Sequence, residues 1–261
     1  MILVTGATGF VGQKIMALCG DTVACPSIRG LSEGEIRRIV EESGADTIVH
    51  TAAISDIGVC QANPEAAYFA NVQIPVSLAK AAKGRKLICF SSDQVYSGLD
   101  DEGPYLEETV KPGNYYAACK IEMERRVLDI SPEAVMLRAE WMYDCSVQKP
   151  NYFMNILKAE GEVSFSSRQY RGVTYVKEVA LNMEKVALLP GGAYNFGSET
   201  GMSMYEITRD FLNLLGRKIP LLDGPPRHNL WMNCEKAGKY GVEFSSVEDG
   251  LKACAADYGL I

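Results

Sequence analysis

Ile2-Leu3-Val4-Thr5-Gly6-Ala7-Thr8-Gly9-Phe10-Val11-Gly12 is the stretch that decides the fold. A short apolar run of strand character turns through three spaced glycines into a helix-like segment, Phe10–Cys19. Glycines let the backbone turn tightly and approach a pyrophosphate, and helix N-terminal amides then meet the phosphate charge. The glycine spacing alone also occurs in turns that hold nothing. Its position between a first strand and a helix is what points to a dinucleotide. The residues so assigned are Gly6, Thr8, Gly9, Phe10, Val11 and Gly12.

Working outward, Ile2–Val4, Thr22–Cys25, Thr47–His50, Leu87–Phe90 and Val135–Leu137 are short continuous apolar runs, as expected of strands covered on both faces. Between them lie helix-like Glu33–Ser43, Pro64–Ala82 and Tyr115–Asp129, and Pro75 is expected to kink or split the second of these. The alternation predicts an α/β fold with a Rossmann-type doubly wound parallel sheet. The rhythm breaks after Tyr143, where Asp144–Asn151 reads as a loop. Helix-like Tyr152–Ala159, Val176–Leu189, Met204–Leu215 and Val247–Tyr258 follow, and Asp223–Asn229 reads as a surface loop. We therefore expect a nucleotide-binding domain over 1–145 and a mainly substrate-binding part over 146–261, with a strand near Ala193–Phe196 rejoining the sheet.

The 261 residues carry 26 Lys and Arg against 33 Asp and Glu, a formal charge of −7. That balance argues against nucleic acid as a partner. No apolar run reaches the ~20 residues of a membrane span. The start is apolar rather than basic, so no signal peptide is expected. Eight cysteines are spread along the chain without a CxxC pair, and read as small buried hydrophobes of a cytoplasmic protein rather than disulfides or zinc ligands. His50 and His228 are the only histidines, too isolated for a Ser-His-Asp arrangement, and His50 reads as a structural strand-end residue.

A dinucleotide fold usually places an acid at the end of its second strand for the adenosine ribose. Here that end is Ala24-Cys25-Pro26-Ser27-Ile28-Arg29, with a cation in place of a carboxylate. Arg29 favours NADP(H), whose 2′-phosphate it can accept, while NAD(H) remains open. Tyr116 and Lys120 stand at i and i+4, one helical turn apart. A phenol near its ordinary pKa of ~10 is an acid at neutral pH, able to protonate a carbonyl oxygen as hydride arrives. A neighbouring ammonium and an oxidised nicotinamide would favour the phenolate needed in the reverse direction. Ser92 closes the strand Leu87–Phe90 at the edge where open α/β sheets bind ligands, and can stabilise charge on the reacting oxygen.

With these residues the chain resembles the extended short-chain dehydrogenase/reductase superfamily, and within it the dTDP-4-dehydrorhamnose reductase family. The matching pieces are TGATGFVG at Thr5–Gly12, DTIVHTAA at Asp46–Ala53, CFSSDQVYSG at Cys89–Gly98 and YYAACKIEMER at Tyr115–Arg125. VMLRAEWMYD at Val135–Asp144, RQYRGVTYVKEVA at Arg168–Ala180 and RHNLWMNCEK at Arg227–Lys236 are nearer to the reductases themselves. The resemblance implies catalysis by Ser92, Tyr116 and Lys120, with Ala52, Ala53 and Asn71 at the cofactor. It implies NADPH-dependent reduction of a 4-keto nucleotide-sugar, with proton donation from Tyr116. Ser92, Asp93, Trp141, Arg168 and Tyr175 are the expected substrate contacts, with Lys158, Arg171 and Arg227 as further candidates for its diphosphate.

The chain departs from the family where Lys14 stands for a magnesium-binding glutamate, so no metal site is expected. Gly58, Gln61, Glu140, Val173 and Leu230 also depart, and these departures point to a changed substrate or a lost reaction. A nucleotide-sugar epimerase uses the same triad and stays open. Gln94 stands where the family's dehydratases carry a basic Glu, which disfavours dehydration. The regulatory subunit of methionine adenosyltransferase resembles the same reductases, so a non-catalytic NADP-binding partner is the alternative from another class. A homodimer is the default assembly.

Overall fold

The computed structural model describes residues 1–146, 150–225 and 227–261. Six parallel strands form the central sheet in the order β2-β1-β3-β4-β5-β9. They are β1 (Ile2–Thr5), β2 (Thr22–Ala24), β3 (Thr47–His50), β4 (Lys86–Ser92), β5 (Val135–Ala139) and β9 (Gly192–Phe196). The expected late strand does rejoin the sheet: Val135–Ala139 pairs in register with Gly192–Phe196. β6 (Trp141–Tyr143) pairs with β8 (Val173–Tyr175), and β7 (Val163–Phe165) with β10 (Leu221–Asp223), as two small parallel pairs outside it.

Adjacent residues of a strand face opposite sides, which explains the unbroken apolar runs. Leu3, Ile48, Leu87 and Met136 face a layer made by α2 (Glu33–Ser43), α5 (Ile74–Ala82) and α6 (Tyr115–Ile130). Val4, Val49, Ile88 and Leu137 face α1 (Phe10–Leu18), α8 (Val176–Leu181) and α9 (Met183–Ala187). The sheet is therefore covered on both faces, as the sequence predicts. A third apolar cluster joins Tyr143, Tyr152, Phe153, Tyr175 and Phe211 with α7 (Tyr152–Leu157), α10 (Met204–Leu214) and α12 (Val247–Asp257). The remaining helices are α3 (Ile57–Ala62), α4 (Pro64–Tyr68) and α11 (Glu235–Gly238).

Two expected helices are divided. Pro64–Ala82 becomes α4, a π-helical turn over Phe69–Gln73, and α5. Pro75 has no N–H for the carbonyl four residues back, and the Ile74 N–H reaches five residues back to Phe69. Val176–Leu189 divides at Asn182, whose amide nitrogen donates to the Glu178 and Glu243 carbonyls at 3.0 and 2.7 Å. The competing side-chain bonds terminate α8 at that point.

The cations are not spread evenly. Arg37, Lys80, Lys83, Arg85 and Lys86 line a cleft at the N-terminal edge of the sheet, opposite the glycine loop. Arg85 Nε donates to the Ala45 carbonyl just beyond α2, and Lys86 Nζ to the Glu133 carbonyl beyond α6 and the Leu189 carbonyl beyond α9. Arg85 and Lys86 thus meet carbonyls that lie just past helix C-termini, while Lys80 pairs with Glu33 at 2.5 Å.

Candidate active site

The glycine loop lies at the C-terminal end of β1, where the strand order reverses between β1 and β3. Gly6 has φ +69°, and a Cβ there would stand 2.8 Å from Thr51 Oγ1 and 3.0 Å from the Ala52 amide nitrogen. A Cβ on Gly12 would stand 2.1 Å from the Gly6 carbonyl oxygen. Only glycine fits either position. Gly9 caps α1 without a side-chain hydrogen bond, which leaves the helix N-terminus open to an anion. Thr8 and Gly9 are exposed and Phe10 is half-buried, whereas Val11 and Gly12 pack inward. The Ala52 backbone lies against Gly6 just beyond β3, and Ala53 is exposed. The open amides at the start of α1 and the absence of a Cβ at Gly6 and Gly12 fit a dinucleotide diphosphate. Arg29 is exposed beyond β2.

Ser92 ends β4 and caps the 3-10 turn Asp93–Tyr96: its Oγ accepts from the Gln94 N–H at 3.2 Å and donates to Asp93 Oδ1 at 3.0 Å. It is thus both a capping serine and a hydroxyl at the ligand-binding edge. Tyr116 and Lys120 share one face of α6, with the ammonium 5.7 Å from the Tyr116 ring centre. Asn114 fixes the start of that helix by accepting from the Ala117 N–H at 2.9 Å, and its own amide donates to Gln94 Oε1 at 3.1 Å. Gln94 therefore ties the Ser92 turn to the helix that carries Tyr116.

Burial holds the Tyr116 phenol well above its ordinary pKa, the Ser92 hydroxyl opposes this, and Asp93 reinforces it. Lys120 lies beside the Tyr116 ring but sends its hydrogen bond to the main chain. Its ammonium donates to the Phe90 carbonyl at 2.7 Å, and burial lowers its pKa to about 8. The Tyr116 phenol is thus held in its neutral form. His50 is structural, as expected: it shares a 2.6 Å hydrogen bond with Thr5 Oγ1, and burial, then Lys120, lowers its pKa to about 3.

Other expected site residues move. Asn71 lies in the π-turn, but its amide accepts from the Ile54 N–H at 3.0 Å and donates to the Ile54 carbonyl at 2.9 Å. It shapes the loop after β3, with its polar groups engaged there rather than offered to a cofactor. Tyr175 leaves the substrate set. It is buried, its ring stacks on Tyr143 at 5.7 Å, and its hydroxyl donates to Asp257 at 3.1 Å. Arg171 is not free for a diphosphate either, because its Nη2 pairs with Asp93 Oδ2 at 2.6 Å. Its guanidinium lies over the half-buried Trp141, 5.4 Å from the ring centre. Arg168, Lys158 and Arg227 are exposed.

Lys14, expected in place of a metal-binding glutamate, pairs with the fully buried Asp144 at 2.5 Å. The Tyr258 hydroxyl donates to the same carboxylate at 2.6 Å. Burial acts to raise the Asp144 pKa, but these donors and Ser146 hold it below the ordinary value. Among the described residues no group of three or more His, Cys, Asp or Glu could hold a metal.

One supporting pair escaped the sequence reading. Arg138 on β5 and Glu124 on α6 are both buried, and two guanidinium nitrogens clasp the carboxylate, with Nη2 to Oε2 at 2.8 Å. Ser91, next to Ser92, donates to Glu124 Oε1 at 2.5 Å. This network fixes α6 against β4 and β5, and so sets the height of Tyr116 over the sheet edge.

A glycine cradle at the switch point, with Ser92, Tyr116 and Lys120 beside it, defines a protein of the extended short-chain dehydrogenase/reductase type. The family model for the RmlD substrate binding domain matches residues 1–226, and the chain belongs to that family. It is 30% identical to the methionine adenosyltransferase 2 subunit beta of Xenopus tropicalis, over 92% of this chain and 82% of the relative. It is 32% identical to a dTDP-4-dehydrorhamnose reductase of Mycolicibacterium smegmatis over 151 residues, 54% of this chain and 46% of that one. The fold matches a dTDP-4-dehydrorhamnose reductase from Bacillus anthracis, solved with NADP, with a TM-score of 0.87 at 20% identity over 98% of each chain.

Proposed function

We propose that the chain is an NADPH-dependent reductase of a 4-keto nucleotide-sugar. The observation that carries this is the buried Tyr116, held as a neutral phenol close to Ser92 at the C-terminal edge of the sheet. When bound, the reduced nicotinamide supplies a hydride. Ser92 offers a hydroxyl to the keto oxygen, and Tyr116 gives that oxygen its proton as negative charge develops. Lys120, anchored on the Phe90 carbonyl, places positive charge beneath the phenol that has lost its proton. The Gly6–Gly12 cradle holds the diphosphate of the cofactor, and exposed Arg29 suits the 2′-phosphate of NADPH. The complexed reductase from Bacillus anthracis supports the choice of NADP.

The test is turnover of 4-keto nucleotide-sugars with NADPH and with NADH, followed as loss of reduced cofactor. Tyr116→Phe should lower kcat by at least 100-fold, on the scale of general acid catalysis, with NADPH binding within about twofold. Turnover unchanged by that substitution refutes the mechanism.

A second reading is favoured by the likeness to the methionine adenosyltransferase subunit over nearly the whole chain. In it the chain binds NADPH and acts as a partner module. Cofactor binding without turnover of any keto-sugar, together with a stable complex with a catalytic subunit, would support it.

A further inference from the structure

We propose that Arg171 is a positioning residue for Ser92, and that it acts by neutralising Asp93 beside the reacting oxygen. The kinetic consequence rests on the reductase reading, whereas the geometry does not.

Asp93 follows Ser92 at the end of β4 and is buried, 3% exposed. Its Oδ1 accepts the Ser92 hydroxyl at 3.0 Å, and its Oδ2 accepts the Arg171 Nη2 at 2.6 Å. The two oxygens of one carboxylate thus join Ser92 to a cation from the C-terminal part of the chain. That cation is held from several sides. The guanidinium is backed by the Trp141 ring. The Arg171 main chain bridges to Leu230, and the Leu230 N–H donates to the Tyr170 carbonyl at 3.0 Å. The Tyr170 N–H in turn donates to Asn229 Oδ1 at 2.8 Å. The Arg171 Nε is buried with no hydrogen-bond partner. Among the described residues Asp93 is therefore the one group to which this guanidinium is hydrogen-bonded.

The chemistry gives this pair its task. A serine hydroxyl has one hydrogen to donate. In the structure Asp93 receives it, whereas the keto oxygen needs it as hydride arrives. A bare carboxylate would keep that hydrogen, and its charge would oppose the negative charge growing on the oxygen nearby. The guanidinium counters both effects. It engages one carboxylate oxygen through a charge-assisted bond, which weakens the hold of the other on Ser92, and it cancels the field of the carboxylate. The side chains of the pair are 14% and 4% exposed, so salt screens their charges little. Burial raises the Asp93 pKa, and Arg171 is the foremost of the groups that oppose the rise. The C-terminal part thus supplies a charge that the chemistry at the end of β4 requires.

The test is a double-mutant cycle in keto-sugar reduction with NADPH at about pH 8. Arg171→Gln should lower kcat at least about tenfold, less than the loss of a direct oxyanion donor. NADPH binding kept within about twofold shows that the variant is folded. Asp93→Asn removes the carboxylate charge and keeps an acceptor for Ser92. Beside it, Arg171→Gln should cost less than about twofold. Equal losses in the two backgrounds overturn the proposal. A rise in the KM of the keto-sugar with kcat unchanged overturns it as well, because Arg171 would then be a substrate contact. If the native protein reduces no keto-sugar, the reductase reading fails on its own, and urea unfolding decides the pair. Arg171→Gln and Asp93→Asn should each lower the midpoint by at least about 0.5 M, and the double variant should recover at least half of the larger loss. Additive losses in unfolding overturn the dependence of Asp93 on Arg171.

Discussion

Replacing Arg138 by Met tests how α6 is held. Arg138 is 4% exposed and Glu124 5% exposed, so neither charge is solvated. The substitution removes the clasp on Glu124, a 2.9 Å bond to the Tyr96 hydroxyl and a 2.8 Å bond to the Glu107 carbonyl. Among the described residues Ser91 then remains as the one side-chain donor to Glu124. Removing one member of a buried pair costs about 3–5 kcal/mol, because it strands the other. With a urea m-value of about 3 kcal/mol/M, that loss lowers the unfolding midpoint by about 1–1.7 M. The companion variant Arg138→Met/Glu124→Leu removes both charges and should recover at least half of the loss, since an apolar pair of similar volume is often as stable as a buried ion pair. Urea unfolding followed by far-UV circular dichroism measures all four proteins of the cycle. A single-variant loss below about 1 kcal/mol, or a double variant no more stable than the single, refutes the argument that Glu124 is stranded.

Three further outcomes are expected. Gly12→Ala, whose Cβ would stand 2.1 Å from the Gly6 carbonyl, should weaken NADPH binding by at least 100-fold in a fluorescence titration. Arg29→Ala should weaken NADPH about tenfold, equivalent to about 1.4 kcal/mol, and leave NADH within twofold. An equal loss for both cofactors would separate Arg29 from the 2′-phosphate. Glu140 also shapes stability against pH. Its folded pKa of about 8 lies above the unfolded value, so its contribution is fully present below the unfolded value and declines as pH rises towards 8. The slope is at most about 1.4 kcal/mol per pH unit. Glu140→Gln should remove that slope between pH 5 and 8 in thermal unfolding curves, and a slope that persists assigns it to another group.

What could be read in advance was what lies close together along the chain. The glycine loop is one turn, and Tyr116 and Lys120 are one helical turn apart, so local geometry alone juxtaposes them. Alternating strand faces made the sheet legible through Leu3 and Val4 or Ile48 and Val49. The partners of polar groups were not legible. Asp93 meets Arg171 from 78 residues away, and nothing near either residue announces the pairing. Tyr175 was misassigned because an aromatic in a three-residue strand has no periodicity to show which face is buried. Asn71 lay in the expected place, but its engagement with Ile54 depends on a π-turn that only the missing N–H of Pro75 explains. Lys120 had the expected neighbour, while its hydrogen bond to the Phe90 carbonyl, 30 residues away, leaves no mark near either residue.

The order of strands has a consequence for how the molecule is made. β5 is buried along its whole length, and one of its flanks is closed only by β9, which lies more than fifty residues later. During synthesis the first five strands of the sheet therefore emerge with a raw, hydrogen-bond-hungry margin that stays open until Phe196 has been added. Such margins recruit stray strands. A fragment cut at residue 145 would carry every glycine of the cradle together with Ser92, Tyr116 and Lys120, and would still be an unfinished sheet. Any excision or fusion meant to borrow the glycine cradle has to run through Phe196, and so takes residues 146–196 with it.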